Sequence, residues 1–274
     1  YQLTEADFCG EEFKDHPVKL EGNNDLLVLT RPDVIAAIHR QYLEAGADII
    51  ETCTFNSQVV SQAEYQTTEL VRRLNLEGAR LARQEADRMT ALTPDKPRFV
   101  AGSVGPTGKM TSMSPDMENP AFRAMDYDTL RLAYVEQMLA LLEGGVDCLL
   151  IETIFDTLNA KAALAAAREV FEILGRKVPV MLSVTVADAA GRTLAGQTLE
   201  AFLTSVSHAE VFSVGLNCSF GAEQMLPFLK ELAAIAPYYI SVYPNAGLPN
   251  AMGQYDETPE QMAAQVDRFM EEGL

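Results

Sequence analysis

The feature that most constrains this chain is a repeated helix, glycine, strand unit. GADIIET (46–52) and GVDCLLIET (145–153) both run glycine, aspartate, apolar strand and then Glu-Thr, and each follows an amphipathic segment. In the first unit Thr30 and Pro32 read as a helix start, Thr30 capping free backbone N–H groups and Pro32 standing in the first turn, where its missing donor costs nothing. Val34, Ile35, Ile38 and Tyr42 form one apolar stripe, and Gly46 ends the helix. In the second unit Leu130, Tyr134, Met138 and Leu141 line one face, Gly144 and Gly145 stop the helix, and 148–151 is the strand. The pattern predicts further helix and strand pairs at 61–90 and 99–103, 158–174 and 180–184, 201–208 and 212–216, and 225–235 and 239–242. A last helix opens at a Thr258 to Gln261 capping box. Alternation of this kind implies a parallel sheet, because each strand must be followed by a crossover that returns the chain to the same end.

An open doubly wound sheet and a closed barrel both satisfy that alternation. The polar residues favour the barrel: Glu51, Ser103, Glu152, Asn217 with Cys218, and Asn245 all fall at strand ends, where a TIM-type (β/α)8 barrel collects its functional side chains. Six strands are legible where eight are needed. The sequence begins at Tyr1 rather than Met and stops at Leu274, and the expectation is a barrel domain over 1–274 whose first and last strands lie outside it. Nothing marks an internal linker.

Composition removes several function classes. With 21 Lys+Arg against 39 Asp+Glu the formal charge is −18, which repels nucleic-acid phosphates and anionic lipid. No apolar run is long enough to span a bilayer and no charged-then-apolar leader opens the sequence, so a cytoplasmic protein is expected. Cys9, Cys53, Cys148 and Cys218 are widely spaced, and free thiols are the expectation.

Candidate chemistry narrows next. GSVGPTGK (102–109) lacks Walker spacing and has Met110 where a magnesium-binding hydroxyl would stand. His16, His39 and His208 are isolated, in loop or helix. Glu51 and Glu152 are a possible acid and base pair, the alternative being that they bind backbone or solvent at the rim. Cys218, in GLNCSFG (215–221), ends an apolar strand with a helix start following, a setting suited to a reactive sulfur; an inert packed cysteine is the alternative. The 104–125 loop, with Met110, Met113 and Met117, reads either as an adaptable apolar lid or as a solvated connection.

GADIIETCTFNS (46–57), GSVGPTGK (102–109), LLIETIFDTLNAKAAL (149–164), GRTLAGQT (191–198), GLNCSFGAEQM (215–225) and YPNAGLPNAMGQYDETPEQMA (243–263) together resemble the homocysteine-binding barrel of cobalamin-dependent methionine synthase, within the homocysteine S-methyltransferase superfamily. The resemblance spans essentially the whole chain. Short members that use betaine or S-methylmethionine share the barrel, but LTEADFCGEEF (3–13), GNNDLLVLTRPDVI (22–35) and PNAGLPN are similar to the cobalamin-dependent branch.

The resemblance implies zinc-dependent activation of the homocysteine thiol, followed by methyl transfer from methylcobalamin carried on another module, with a folate-binding module elsewhere. It implies that Cys218 is one of three cysteine ligands to zinc, the other two falling beyond Leu274. It implies that Glu152 holds the substrate's amino group and that Asn245 takes zinc's fourth position when homocysteine is away; Ser103, at the end of its strand, is a further candidate for substrate binding. Cys53 departs from the pattern, standing where the family usually has asparagine. On this reading residues 1–274 alone should not turn over. Two other readings stay open: a metal-free amino-acid-binding module, and a different barrel enzyme that transfers protons through Glu51 and Glu152.

Overall fold

The structure is a computed structural model and describes residues 1–250 and 252–274. In chain order the helices are α1 (Glu5–Cys9), α2 (Leu27–Thr30), α3 (Pro32–Glu44), α4 (Val59–Gln62), α5 (Val71–Leu92), α6 (Tyr127–Glu143), α7 (Thr157–Leu174), α8 (Leu199–Val206), α9 (Ala222–Ile235) and α10 (Pro259–Glu271). The strands are β1 (Ile49–Glu51), β2 (Phe99–Val104), β3 (Cys148–Ile154), β4 (Val180–Val184), β5 (Ser213–Gly221) and β6 (Tyr239–Asn245). They form one sheet in the order β1-β2-β3-β4-β5-β6, and β1/β2, β4/β5 and β5/β6 pair in parallel. A doubly wound sheet reverses its strand order at a switch point. This order has no reversal, and the α/β fold is that of a partial TIM-type barrel, with six strands among the described residues. None of the described helices is long and apolar enough to cross a membrane.

The chain divides into two compact units, Tyr1–Lys109 with Met125–Leu150 and Ala162–Pro179, and Met110–Ala124 with Ile151–Lys161 and Val180–Leu274. In the first unit Leu74, Ala79 and Ala82 of α5 and Leu130, Met138 and Leu141 of α6 are all fully buried. A satellite cluster of Phe8, Leu20, Leu26, Leu27, Val28, Ile35 and Leu74 has Cys9 and Cys53 packed against it. In the second unit the core is built from Leu182, Leu199, Phe202, Val214, Leu216 and Leu229.

The repeated Gly-x-Asp signal has a structural cause. Gly46 (φ +108°) and Gly145 (φ +97°) turn the chain out of α3 and α6 in a backbone conformation that other residues rarely adopt. The aspartate that follows then ties down the strand entrance. Asp147 Oδ2 accepts from Val100 N at 2.7 Å and pairs with Arg83 at 2.6 Å, while Asp48 pairs with Lys96 at 3.2 Å.

Three local expectations are corrected. Thr30 caps nothing: it closes α2, its Oγ1 donates to Leu26 O at 3.4 Å, and α3 starts at Pro32 after Arg31. The buried stripe of α3 is Val34, Ile35, His39 and Leu43, whereas Tyr42 is 65% exposed. Both sets have helical spacing, and packing selects the neighbouring one. The long helix expected over 61–90 begins at Val71, because the chain first makes α4 and two short 3-10 turns, with Gln66 left-handed at φ +53°.

The 104–125 loop is anchored where it runs through the second unit. Thr111 N and Oγ1 donate to Asn159 Oδ1 at 3.0 and 2.6 Å, and Ser112 N and Oγ donate to Asp156 Oδ2 at 3.0 and 2.7 Å. Asp156 Oδ1 also accepts from Leu158 N at 2.8 Å at the start of α7, so one carboxylate serves both helix and loop. Met117, at 96% exposure, covers nothing.

Two outcomes are expected. Asp156→Ala together with Asn159→Ala releases the loop, and limited proteolysis should then cut within 110–124 at least tenfold faster, about the effect of losing 1–2 kcal/mol of local hydrogen bonding. Burial pushes the His39 imidazole down to about 4, against a weaker opposing pull from Glu85. The unfolded chain therefore takes up a proton first as pH falls from 6.5, so stability is intact above 6.5 and declines toward 4 by up to about 1.4 kcal/mol per pH unit. Urea unfolding across that window should show a correspondingly shallower slope for His39→Gln.

Candidate functional site

Glu152 and Cys218 reach the ends of β3 and β5 by different routes. Glu152 is the fifth residue of β3, only 5% exposed, and its Oε2 accepts from the Tyr243 hydroxyl at 3.0 Å. A buried carboxylate needs such partners, because an unsatisfied charge in a dry site is strongly unfavourable. Tyr243 lies on β6 two residues before Asn245, and alternate residues of a strand share a face.

Cys218 stands in a bulge. The β5/β6 register pairs Asn217 with Tyr243 and then Gly221 with Asn245, so four steps along β5 match two along β6. The additional residues form a protrusion at the strand end, a device that re-aims side chains beside sites. Within it Cys218 and Ser219 are consecutively left-handed, at φ +61° and +63°. The first part of β5 is held tight against its neighbour: a Cβ at Gly215 would come within 2.1 Å of Ser241 O, so only glycine fits there.

Asn217 links the two ends. Its Nδ2 donates to Cys218 Sγ at 3.0 Å and to Thr153 Oγ1 at 2.8 Å, and its Oδ1 accepts from Thr153 N at 3.2 Å and Ser183 Oγ at 2.7 Å. Thr153, directly after Glu152, is itself left-handed at φ +56°, a genuine outlier for a β-branched residue. Three of the four non-glycine residues with positive φ among those described therefore sit at this one place. Each costs about 1–3 kcal/mol and persists only where surrounding bonds over-determine it, which is characteristic of functional sites.

The remaining candidates are placed as follows. Asn245 is half-buried at the end of β6, opposite Gly221. Ser103 belongs to the first unit, buried in β2, where its N donates to Thr52 Oγ1 at 3.0 Å and its O accepts from Thr54 Oγ1 at 2.8 Å. Glu51 is exposed at the end of β1. All four cysteines are free. Cys53 Sγ donates to Asn24 O at 3.5 Å, and burial pushes this thiol well above its ordinary range. Burial raises Cys148 to about 12, and the Glu5 carboxylate beside Cys9 raises that thiol to about 11. None of these three supplies a thiolate at neutral pH, and Cys53, whose role the sequence leaves open, is a packing residue of the satellite cluster.

Sequence reasoning gave Tyr243 and Thr153 no role and placed Asn217 only among the rim residues. The signal for Tyr243 was available in the two-residue period of β6. Nothing local announces the left-handed Thr153.

The arrangement offers a buried carboxylate for a cationic group and a half-buried sulfur at strand ends of one unit, joined through a saturated amide. The crystal structure of the homocysteine methyltransferase MmuM from Escherichia coli in its metallated form is 22% identical, with a TM-score of 0.71 over 94% of this chain and 92% of that one. The apo form of the same protein gives 22% identity and a TM-score of 0.64 over 90% and 89% of the two chains. At this identity the likeness speaks to the fold, and the sequence itself carries the relationship further. Residues 2–274 match the homocysteine S-methyltransferase family, and the chain belongs to that family.

Proposed function

We propose that this chain is the homocysteine-binding part of a methyltransferase in which Glu152 receives the substrate's ammonium group and Cys218 is one sulfur ligand to zinc. The methyl group arrives from methylcobalamin on a separate module. The observation that carries the reading is the run from Glu152 through Thr153 and Asn217 to the Cys218 sulfur, each link a covalent neighbour or a hydrogen bond of 2.8–3.2 Å. Family membership supports homocysteine as acceptor. The metallated form of the Escherichia coli relative supports a metal. The strings at 3–13, 22–35 and 244–250 support the cobalamin-dependent branch over members using betaine or S-methylmethionine.

The donor set sets a limit. Among the described residues no group of three or more His, Cys, Asp or Glu stands together to hold a metal ion. The residues present therefore do not by themselves fit a tetrahedral zinc site, and in this reading two more cysteine sulfurs come from beyond Leu274. Zinc held by Cys218 and those two further sulfurs would supply the ionisation of a thiol that, with a pKa of ~8.5, is mostly protonated at neutral pH. The work assigned to this chain is recognition and orientation. Glu152, steadied by Tyr243, accepts hydrogens from the ammonium, and Asn245 stands in when homocysteine is away.

Zinc analysis and calorimetry test this reading. Residues 1–274 should retain well under one equivalent of zinc and show no turnover, whereas a chain extended through the expected cysteine pair should bind zinc tightly. Equimolar tight zinc on residues 1–274 contradicts the ligand assignment. Glu152→Gln should weaken homocysteine binding about 10–100-fold, the loss expected for a charge-assisted hydrogen bond. Homocysteine affinity unchanged by chelator would instead favour a metal-free binding module. A harmless Cys218→Ala with a ruinous Glu152→Gln would favour the proton-transfer reading, and turnover with betaine or S-methylmethionine in place of methylcobalamin would reassign the branch.

A further inference from the structure

The carboxamide of Asn217 is fully used and almost fully buried, at 1% exposure. Its orientation is not arbitrary. The Thr153 backbone N–H can only donate, so Oδ1 faces it at 3.2 Å, and Nδ2 is thereby directed at Thr153 Oγ1 (2.8 Å) and at Cys218 Sγ (3.0 Å). Ser183 Oγ closes the second acceptor site of Oδ1 at 2.7 Å, and the backbone oxygen of Asn217 takes the Thr185 hydroxyl at 3.2 Å. Both hydrogens and both lone pairs of the amide are engaged. Two of its partners belong to Thr153, the left-handed residue next to Glu152, and a third is the sulfur of left-handed Cys218.

We propose that Asn217 is the positioning residue of this site. One carboxamide fixes the Cys218 sulfur and, through Thr153, the end of the strand that carries Glu152, so the spacing between the group meeting the substrate's sulfur end and the group meeting its ammonium end is set by a single side chain. This rests on the roles proposed above for Glu152 and Cys218. A shorter or non-donating side chain leaves both residues in place but frees their relative geometry, and displacements of about 1 Å at a reacting centre cost on the order of 100-fold in rate. Asn217 itself need not touch the substrate.

The test compares Asn217→Asp and Asn217→Ser with Glu152→Gln and Cys218→Ala in the holoenzyme. It reads kcat and KM for L-homocysteine and the affinity for L-2-aminobutyrate, which has the same ammonium and carboxylate but no thiol. Asn217→Asp keeps acceptors for Ser183 Oγ and Thr153 N but cannot donate to Thr153 Oγ1 or to the sulfur; Asn217→Ser is too short to span them. Both should fold, lower kcat about 100-fold, and weaken L-2-aminobutyrate about tenfold, the equivalent of one hydrogen bond. Cys218→Ala should leave L-2-aminobutyrate affinity as it was, so loss at both ends marks Asn217 as the coupling group. If Asn217→Asp and Asn217→Ser keep kcat and both affinities within about threefold while Glu152→Gln and Cys218→Ala are impaired, the positioning role is overturned and the site reading stands. If neither Asn217 variant folds, Asn217 is a folding residue and the proposal is likewise overturned. Unimpaired Glu152→Gln and Cys218→Ala would overturn the site reading and this inference with it.

Discussion

A parallel strand pair cannot be joined by a tight turn. Each of β1, β4 and β5 is followed by a crossover before the chain pairs again in the same direction, and strands so paired finish at a common end. Residues with no sequence proximity can then be neighbours for a purely topological reason. In the second unit this brings Thr153, Ser183, Asn217 and Tyr243, from the ends of four strands or near them, into one hydrogen-bonded set with Glu152 and Cys218. The helices supply the return path and the buried apolar area; the strand ends supply the chemistry.

That set is bought with backbone strain. Left-handed Thr153, Cys218 and Ser219 are each unfavourable by about 1–3 kcal/mol, and an ordinary loop would relax them. Thr153 and Cys218 are held there by Asn217, which bonds both, and a buried amide that loses a partner incurs a penalty of about 1–3 kcal/mol of its own. Relaxing the backbone would break the bonds, and breaking the bonds would strand the amide. The network and the strain are of comparable size and hold each other in place.

The sequence made the fold legible wherever period and punctuation coincide. Gly46, Gly145 and Gly175 all take positive φ at helix ends, the Thr258 and Gln261 capping box is present, and β4 has the expected bounds. It was less informative where two readings share a period. On α3 the stripe through Tyr42 and the stripe through His39 and Leu43 have equal helical spacing, and only the neighbouring element decides which one is buried. Residues 59–70 have the polarity of a helix, but Gln66 adopts the left-handed conformation and breaks it into short turns. The 104–125 loop reads as open from its Gly and Pro content, while its anchors, Asn159 and Asp156, come from a helix start more than thirty residues further along.

The candidate site divides in the same way. The chain alone indicated that Glu152, Asn217, Cys218 and Asn245 belong at or near the ends of parallel strands, because alternation of helices and strands implies a parallel sheet whether it is open or closed. It also carried the family relationship across residues 2–274. Only the tertiary structure decided that Tyr243 steadies Glu152, that Cys218 rides a bulge, that Cys53 packs against the satellite cluster, and that one amide ties Thr153, the neighbour of Glu152, to the Cys218 sulfur. The reason is physical: period and capping act between residues a few positions apart, whereas register, bulges and side-chain hydrogen bonds are settled between segments that meet only after the chain has folded.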